Sequence, residues 1–147
     1  MRYLLFVLAL LATIDATLAL REHYRFGASP CSINEKWDCG VVNHSPYAVM
    51  AGVPVAVIGI AGYLFLAFLA LGRRYRLFLG ASIAGLAFSL YLANIEAHVL
   101  GVWCVYCAIS LGFISLLTLL SAVTVIFQAL RRNRAASALS SNSELSS

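Results

Sequence analysis

The sequence predicts an all-α integral membrane protein: a four-transmembrane-helix bundle with an extracytoplasmic loop and a short capping helix. Three observations carry that reading. Charged residues make up 11% of the 147 residues, 62% are hydrophobic, and mean hydropathy is +0.90. Soluble domains carry about 25% charge, so this chain cannot cover a water-facing surface. The apolar residues fall into long uncharged runs, and basic residues gather at the ends of those runs. Disorder and a small secreted cysteine scaffold are excluded as well, the first by apolar content and the second by only four cysteines.

Each span follows in order. The first, residues 3–20, is uncharged except for Asp15. The second (53–71) and third (77–95) carry no charge, and the third ends at Glu96 and His98. The fourth, 102–130, lies in a longer uncharged run that begins outside the hydrocarbon. Lipid cannot satisfy a bare backbone, so each is a helix. Met1-Arg2, an apolar run and Thr17-Leu18-Ala19 also match a signal peptide with a small-residue cleavage site. Asp15 within the run argues against that alternative.

Seven of the ten basic residues are Arg2, Arg73, Arg74, Arg76, Arg131, Arg132 and Arg134. They flank spans and form no continuous basic face, so the net charge of +4 sets topology and does not point to nucleic acid. With these clusters on the cytoplasmic side, four spans put both termini in the cytoplasm and the 21–52 loop outside. Residues 1–131 form one membrane domain, and the Ser- and Ala-rich 132–147 segment is expected to be a disordered cytoplasmic tail. In the outer loop an irregular stretch starts at Ser29-Pro30. Val41 to Ala51 is apolar but too short to span, which suits a short helix capping the bundle.

All four cysteines, Cys31, Cys39, Cys104 and Cys107, map to the outer side, where disulfides are permitted. Cys31 and Cys39 lie in a polar loop, whereas Cys104-Val105-Tyr106-Cys107 is a CxxC at a helix mouth. A helix from Cys104 to Arg131 would run about 40 Å, against about 30 Å of hydrocarbon. Cys104 therefore sits at the interface and Cys107 one turn deeper. Free N–H groups of the first helical turn favour a thiolate on Cys104. Three readings remain open: two static disulfide staples in a scaffold without turnover, a four-cysteine zinc site, and a redox relay. A CxxC is a poor staple because its loop is small, and zinc requires four reduced, converging thiolates in an oxidising compartment. The relay reading is favoured. Its terminal acceptor, by location at the lipid edge, is a membrane quinone.

Cys31-x7-Cys39-Gly40, Val42-Asn43-x-Ser45-x-Tyr47-Ala48, Gly52-Val53-Pro54-Val55-Ala56-x-x-Gly59-x-x-Gly62-Tyr63, then Tyr91-Leu92, Glu96 and Trp103-Cys104-Val105-Tyr106-Cys107 follow in order. This pattern resembles the vitamin K epoxide reductase family, especially its bacterial homologues. The resemblance implies a four-helix bundle around a quinone of the ubiquinone or menaquinone type, in the inner membrane. It implies an oxidant of a periplasmic thioredoxin-fold (DsbA-like) partner, here a separate protein because no thioredoxin domain is fused after the last span. Cys104 and Cys107 would be the active-site pair, with Cys107 nearest the quinone, and Cys31 and Cys39 the shuttle pair. Either loop cysteine can be the one that meets Cys104. Cys39, which adjoins the capping segment, is preferred, leaving Cys31 for the partner. Ser45 and Asn43 are candidate quinone contacts and proton donors, set against ordinary capping or turn roles.

Other residues read as structural. Asp15 is assigned a neutral or hydrogen-bonded role inside its span, although intramembrane acids are often functional. Glu96 and His98 read as ordinary interfacial residues, His23 and His44 as lone loop histidines without metal spacing. Trp37 and Trp103 read as interface anchors. Gly52, Gly59 and Gly62 read as sites of close helix packing.

Overall fold

The computed structural model describes all residues except 26, 28–30, 32, 146 and 147, with side chains through residue 137. Ser29 and Pro30, the expected start of the irregular loop, thus lie outside the described residues. The chain is mostly helical. Helix α1 spans Arg2–His23, and α2 is a short helix, Cys39–Asn43. A 3-10 turn at Pro46–Ala48 leads into a hairpin of β1 (Val49–Met50) and β2 (Val53–Pro54). Helix α3 is Val55–Leu71, and α4 is Tyr75–Ile95, continued by a π turn at Glu96–Leu100. Helix α5 runs Val105–Leu145.

Among the described residues three helices are long and apolar enough to cross a membrane, over Arg2–His23, Tyr75–Leu100 and Val105–Ser137. The second expected span is present as an apolar helix of 17 residues, about 25 Å long. It starts two residues later than the sequence suggests because Val53 and Pro54 pair in the hairpin. The capping segment likewise is only partly helical, since α2 gives way to the 3-10 turn and β1 before residue 51. Composition predicts disorder past Arg131, yet α5 continues to Leu145. An existing helix extends cheaply because the costly nucleation step is already complete.

Helices α1, α3, α4 and α5 pack in cyclic order, α1 against α3, α3 against α4, α4 against α5, and α5 back against α1. The seam of α1 is made by Leu5, Ala9, Ala12 and Ala16, spaced three or four apart and buried. They meet Tyr63, Leu66, Ala67 and Ala70 of α3, Phe78 of α4, and Ile114 and Leu117 of α5. Small residues let backbones approach, as in lipid-embedded bundles. The outward faces are apolar too: Phe68, Leu119 and Phe127 are exposed. A bundle apolar inside and out belongs in a bilayer.

The three glycines of the resemblance serve different purposes. A Cβ on Gly59 would lie 3.7 Å from Ala16 Cβ, so this glycine does mark a close helix contact. Gly62 has nothing within 4 Å and opens on a cavity, and Gly52 occupies the hairpin turn at φ +81°. Ala51 beside it is at φ +51°. Two successive positive φ values make the tight turn whose twist suits a two-residue hairpin. Packing therefore explains one of these three glycines.

Candidate redox site

Main-chain hydrogen bonds bring the loop to the start of α5. Asn34 Oδ1 accepts from the N–H groups of Lys36 (3.0 Å) and Trp37 (3.2 Å), closing a turn. The segment then pairs with residue 103: Trp103 N–H donates to Lys36 O (2.8 Å), and Asp38 N–H donates to Trp103 O (3.1 Å). The two indole rings lie 6.4 Å apart. Asp38 next caps α2, its Oδ1 accepting from Gly40 N–H (2.8 Å) and Val41 N–H (3.2 Å). Since residue 38 is bonded to 103, Cys39 is delivered beside Cys104.

Cys31 and Cys39 form a disulfide with Cα atoms 5.8 Å apart, while Cys104 and Cys107 are free thiols. Cys31, Cys39, Val42 and Cys104 form one buried cluster, against which Cys107 packs. Neither Cys39 nor Cys104 is accessible to solvent. Asn43 bridges the two pairs: its Nδ2 donates to Cys39 O (2.9 Å) and to Cys104 Sγ (3.7 Å). Glu96, also buried, accepts from Cys104 N–H through Oε2 (3.0 Å) and lies within electrostatic reach of the Cys107 thiol.

Cys104 stands immediately before α5, its carbonyl accepting the first helical bond from Ala108 N–H (3.0 Å). A hydrogen bond from the Cys107 thiol holds the Cys104 thiol below the usual thiol range, with help from the Cys107 and Tyr106 N–H groups. Burial and the Glu96 charge oppose this and are outweighed. A lowered pKa means that thiolate persists as pH falls below the ordinary thiol range. The ultraviolet absorbance of the Cys104 thiolate, titrated against a Cys104→Ser blank, is expected to persist at pH values where a free cysteine has lost it. In Cys107→Ala the midpoint should rise; an unchanged midpoint would reject Cys107 as the stabilising donor.

Below the sulfurs lies a cavity of about 430 Å³ lined by the helices and α2 and partly open to the surface, within the range of small-molecule sites. Cys107 is in its wall, whereas Cys104 is not. Asn43 and Ser45 border it, as do Glu96 and Trp103. Ser45 Oγ donates to Val42 O (2.8 Å), so its hydrogen is committed at rest. Across the cavity the Tyr63 hydroxyl is bonded to Ser110, 3.0 Å from O and 2.6 Å from Oγ, joining α3 to α5. Asp15 also lines the cavity, and its Oδ2 has no hydrogen-bond partner. His23 ends α1 with Nδ1 bonded to Asn43 O and its ring stacked on His44, tying α1 to α2.

The structure thus gathers all four predicted cysteines at one end of the bundle, with Cys107, Asn43 and Ser45 together in the cavity wall. Sequence reasoning underrates Glu96, which touches both CxxC cysteines, and treats Trp37 and Trp103 singly although their backbones pair. His98 bonds to Asn94 O of its own turn (3.2 Å) and does not line the cavity. Among the described residues no group of three or more His, Cys, Asp or Glu is arranged to hold a metal ion. Two of the thiols that a four-cysteine zinc site requires are bonded to each other.

A comparison with curated proteins finds no match. A comparison with protein-family models matches the vitamin K epoxide reductase family over residues 3–126. The matched region holds every cysteine, the loop pairing at Trp103 and the whole cavity wall, and on that span the chain belongs to the vitamin K epoxide reductase family.

Proposed function

We propose that the protein is a quinone-coupled thiol–disulfide oxidoreductase that re-oxidises a separate periplasmic thioredoxin-fold (DsbA-like) partner and so supports disulfide bond formation. Family membership carries the coarse part: an oxidoreductase, membrane-bound, working through disulfides. One observation supports the finer part. A buried loop disulfide packs on Cys104, and the neighbouring Cys107 opens on an apolar cavity. In this reading α3, with the hairpin residues before it, is a fourth span. Both termini then face the cytoplasm, residues past 131 lie there, and the sulfurs face the periplasm of the inner membrane.

The lining fits a quinone: mostly apolar walls for the ring and tail, a thiol in the wall, and Asn43 and Ser45 as polar contacts at the edge. When bound, a ubiquinone- or menaquinone-type molecule supplies an acceptor for two electrons and two protons. The chain's own residues do the rest. A partner thiolate attacks Cys31, Cys39 leaves as thiolate, and the partner's second thiolate releases Cys31 while forming the partner's disulfide. Cys39 then attacks Cys104 of an oxidised Cys104–Cys107 pair, and Cys107 leaves as thiolate. Cys31 attacks Cys39, restoring the loop disulfide and freeing Cys104. Each exchange breaks one S–S bond and makes one. Two electrons now reside on Cys104 and Cys107, the thiol state seen here. In the reduced pair Asn43 N–H steadies the Cys104 thiolate while Cys107 holds a proton released by the partner's thiols. Glu96 takes that proton when Cys107 is next needed as a thiolate.

The test is turnover in membranes holding the protein, with a reduced thioredoxin-fold substrate, added quinone and thiol titration over time. Two thiols should disappear per quinone reduced, for many cycles. Thiol loss no faster than background, with fresh quinone present, would leave only a disulfide-stapled scaffold.

A further inference from the structure

Asp15 is the least explained residue of the cavity. It sits on α1 thirteen residues after Arg2, about 20 Å along the helix, where lipid surrounds the bundle. Acids at such depth are costly and persist when something inside the protein satisfies them. Here Asp15 is 7% exposed, so it is turned away from lipid, and Ala16 beside it is held against Gly59 of α3. Yet Oδ2 is the one buried side-chain oxygen or nitrogen among the described residues without a hydrogen-bond partner. It belongs to the cavity lining.

Three of the other polar side chains around that space are already engaged, while Ser89 of α4 also lines it. Tyr63 is bonded to Ser110, Ser45 to Val42 O, and Asn43 to Cys39 O and Cys104 Sγ. Asp15 instead presents an uncommitted polar atom. It is also placed differently from them. His23, at the same end as the sulfurs, is eight residues on in α1, which puts Asp15 about 12 Å deeper. A quinone has two carbonyl oxygens on opposite sides of its ring. With one directed to Cys107, the other points down the cavity.

We propose that Asp15 is the deep hydrogen-bonding anchor for the bound quinone, its acid form donating to the carbonyl oxygen remote from Cys107. This deepens the quinone-reductase reading and rests on it. Asp15 touches the ligand, makes and breaks no covalent bond in this role, and fixes ring orientation so that the near side of the ring faces Cys107.

The test uses the full chain in detergent or nanodiscs, titrated with ubiquinone-1 and menaquinone-1. Quenching of Trp103 fluorescence gives Kd, thiol titration gives kcat and KM, and infrared difference spectra follow the carboxyl stretch. Asp15→Leu removes the donor and makes the span more apolar, so it still inserts. Its Kd and KM for quinone should rise about tenfold, the scale of one lost hydrogen bond. Asp15→Asn keeps a donor and should stay within about threefold of the parent. On quinone binding the parent should show a shifted carboxyl band that both variants lack. Unchanged Kd in Asp15→Leu, or no Asp15 band, overturns the anchor even if parent turnover is normal. Asp15-dependent quinone binding without thiol turnover would uphold the anchor and sink the oxidoreductase reading instead. Absence of quinone binding by the parent protein would overturn both.

Discussion

Cys107→Ser should lower quinone-dependent turnover by at least about a thousandfold, the scale of removing a covalent nucleophile, while the protein still inserts. Cys104 then lacks its resolving neighbour. Its thiolate, packed in one cluster with the Cys31–Cys39 disulfide, is expected to attack Cys39 and stop there. The bond between residues 38 and 103 sets 39 and 104 side by side, and Asn43 reaches from Cys39 O to Cys104 Sγ. A Cys39–Cys104 disulfide with a free Cys31 thiol should therefore accumulate, detectable by peptide mapping under non-reducing conditions. Cys104→Ser should be equally inactive and form no such bond. Retained turnover in either variant would reject the assigned roles. A Cys31–Cys104 link would exchange the parts given to the two loop cysteines.

Glu96→Gln separates two effects that one carboxylate produces. It accepts from Cys104 N–H, lies within electrostatic reach of the Cys107 thiol, and its charge opposes ionisation of Cys104. Gln keeps an oxygen for the N–H and loses the charge and the basicity. Cys104 should then ionise more readily, so its thiolate-absorbance midpoint moves to lower pH. Turnover should nevertheless fall about a hundredfold, because the Cys107 proton has lost its acceptor, an effect typical of general bases. Slower turnover together with a more reactive Cys104 is a signature that general destabilisation would not produce. Turnover within about threefold of the parent would remove Glu96 from the proton path.

Much of this site is legible from residue order. Length and polarity place the helices, because hydrocarbon admits few alternatives to a helix, and CxxC at the head of a long apolar run places Cys104 before Cys107. The geometry that joins the loop to that helix is hidden. Trp37 and Trp103 are 66 residues apart, and their pairing uses main-chain atoms that leave no side-chain pattern. Glu96 looks ordinary for a similar reason. Its partners are a backbone N–H and a thiol, neither of which is a charge that sequence inspection would match to it. The boundaries of α3 and the course of the final helix depend on local competition, between hairpin and helix at residues 53–54 and between propagation and fraying after residue 131.

The clasp between the loop and the start of the last helix is written in amide groups, and amides are common to nearly every residue. Either indole can thus be exchanged without unfastening it, whereas proline at 38 or 103 would remove a donor. Descendants of this sequence are accordingly free to vary the two aromatic rings while holding the sulfur-to-sulfur approach constant, and the barrier to that drift is a missing N–H.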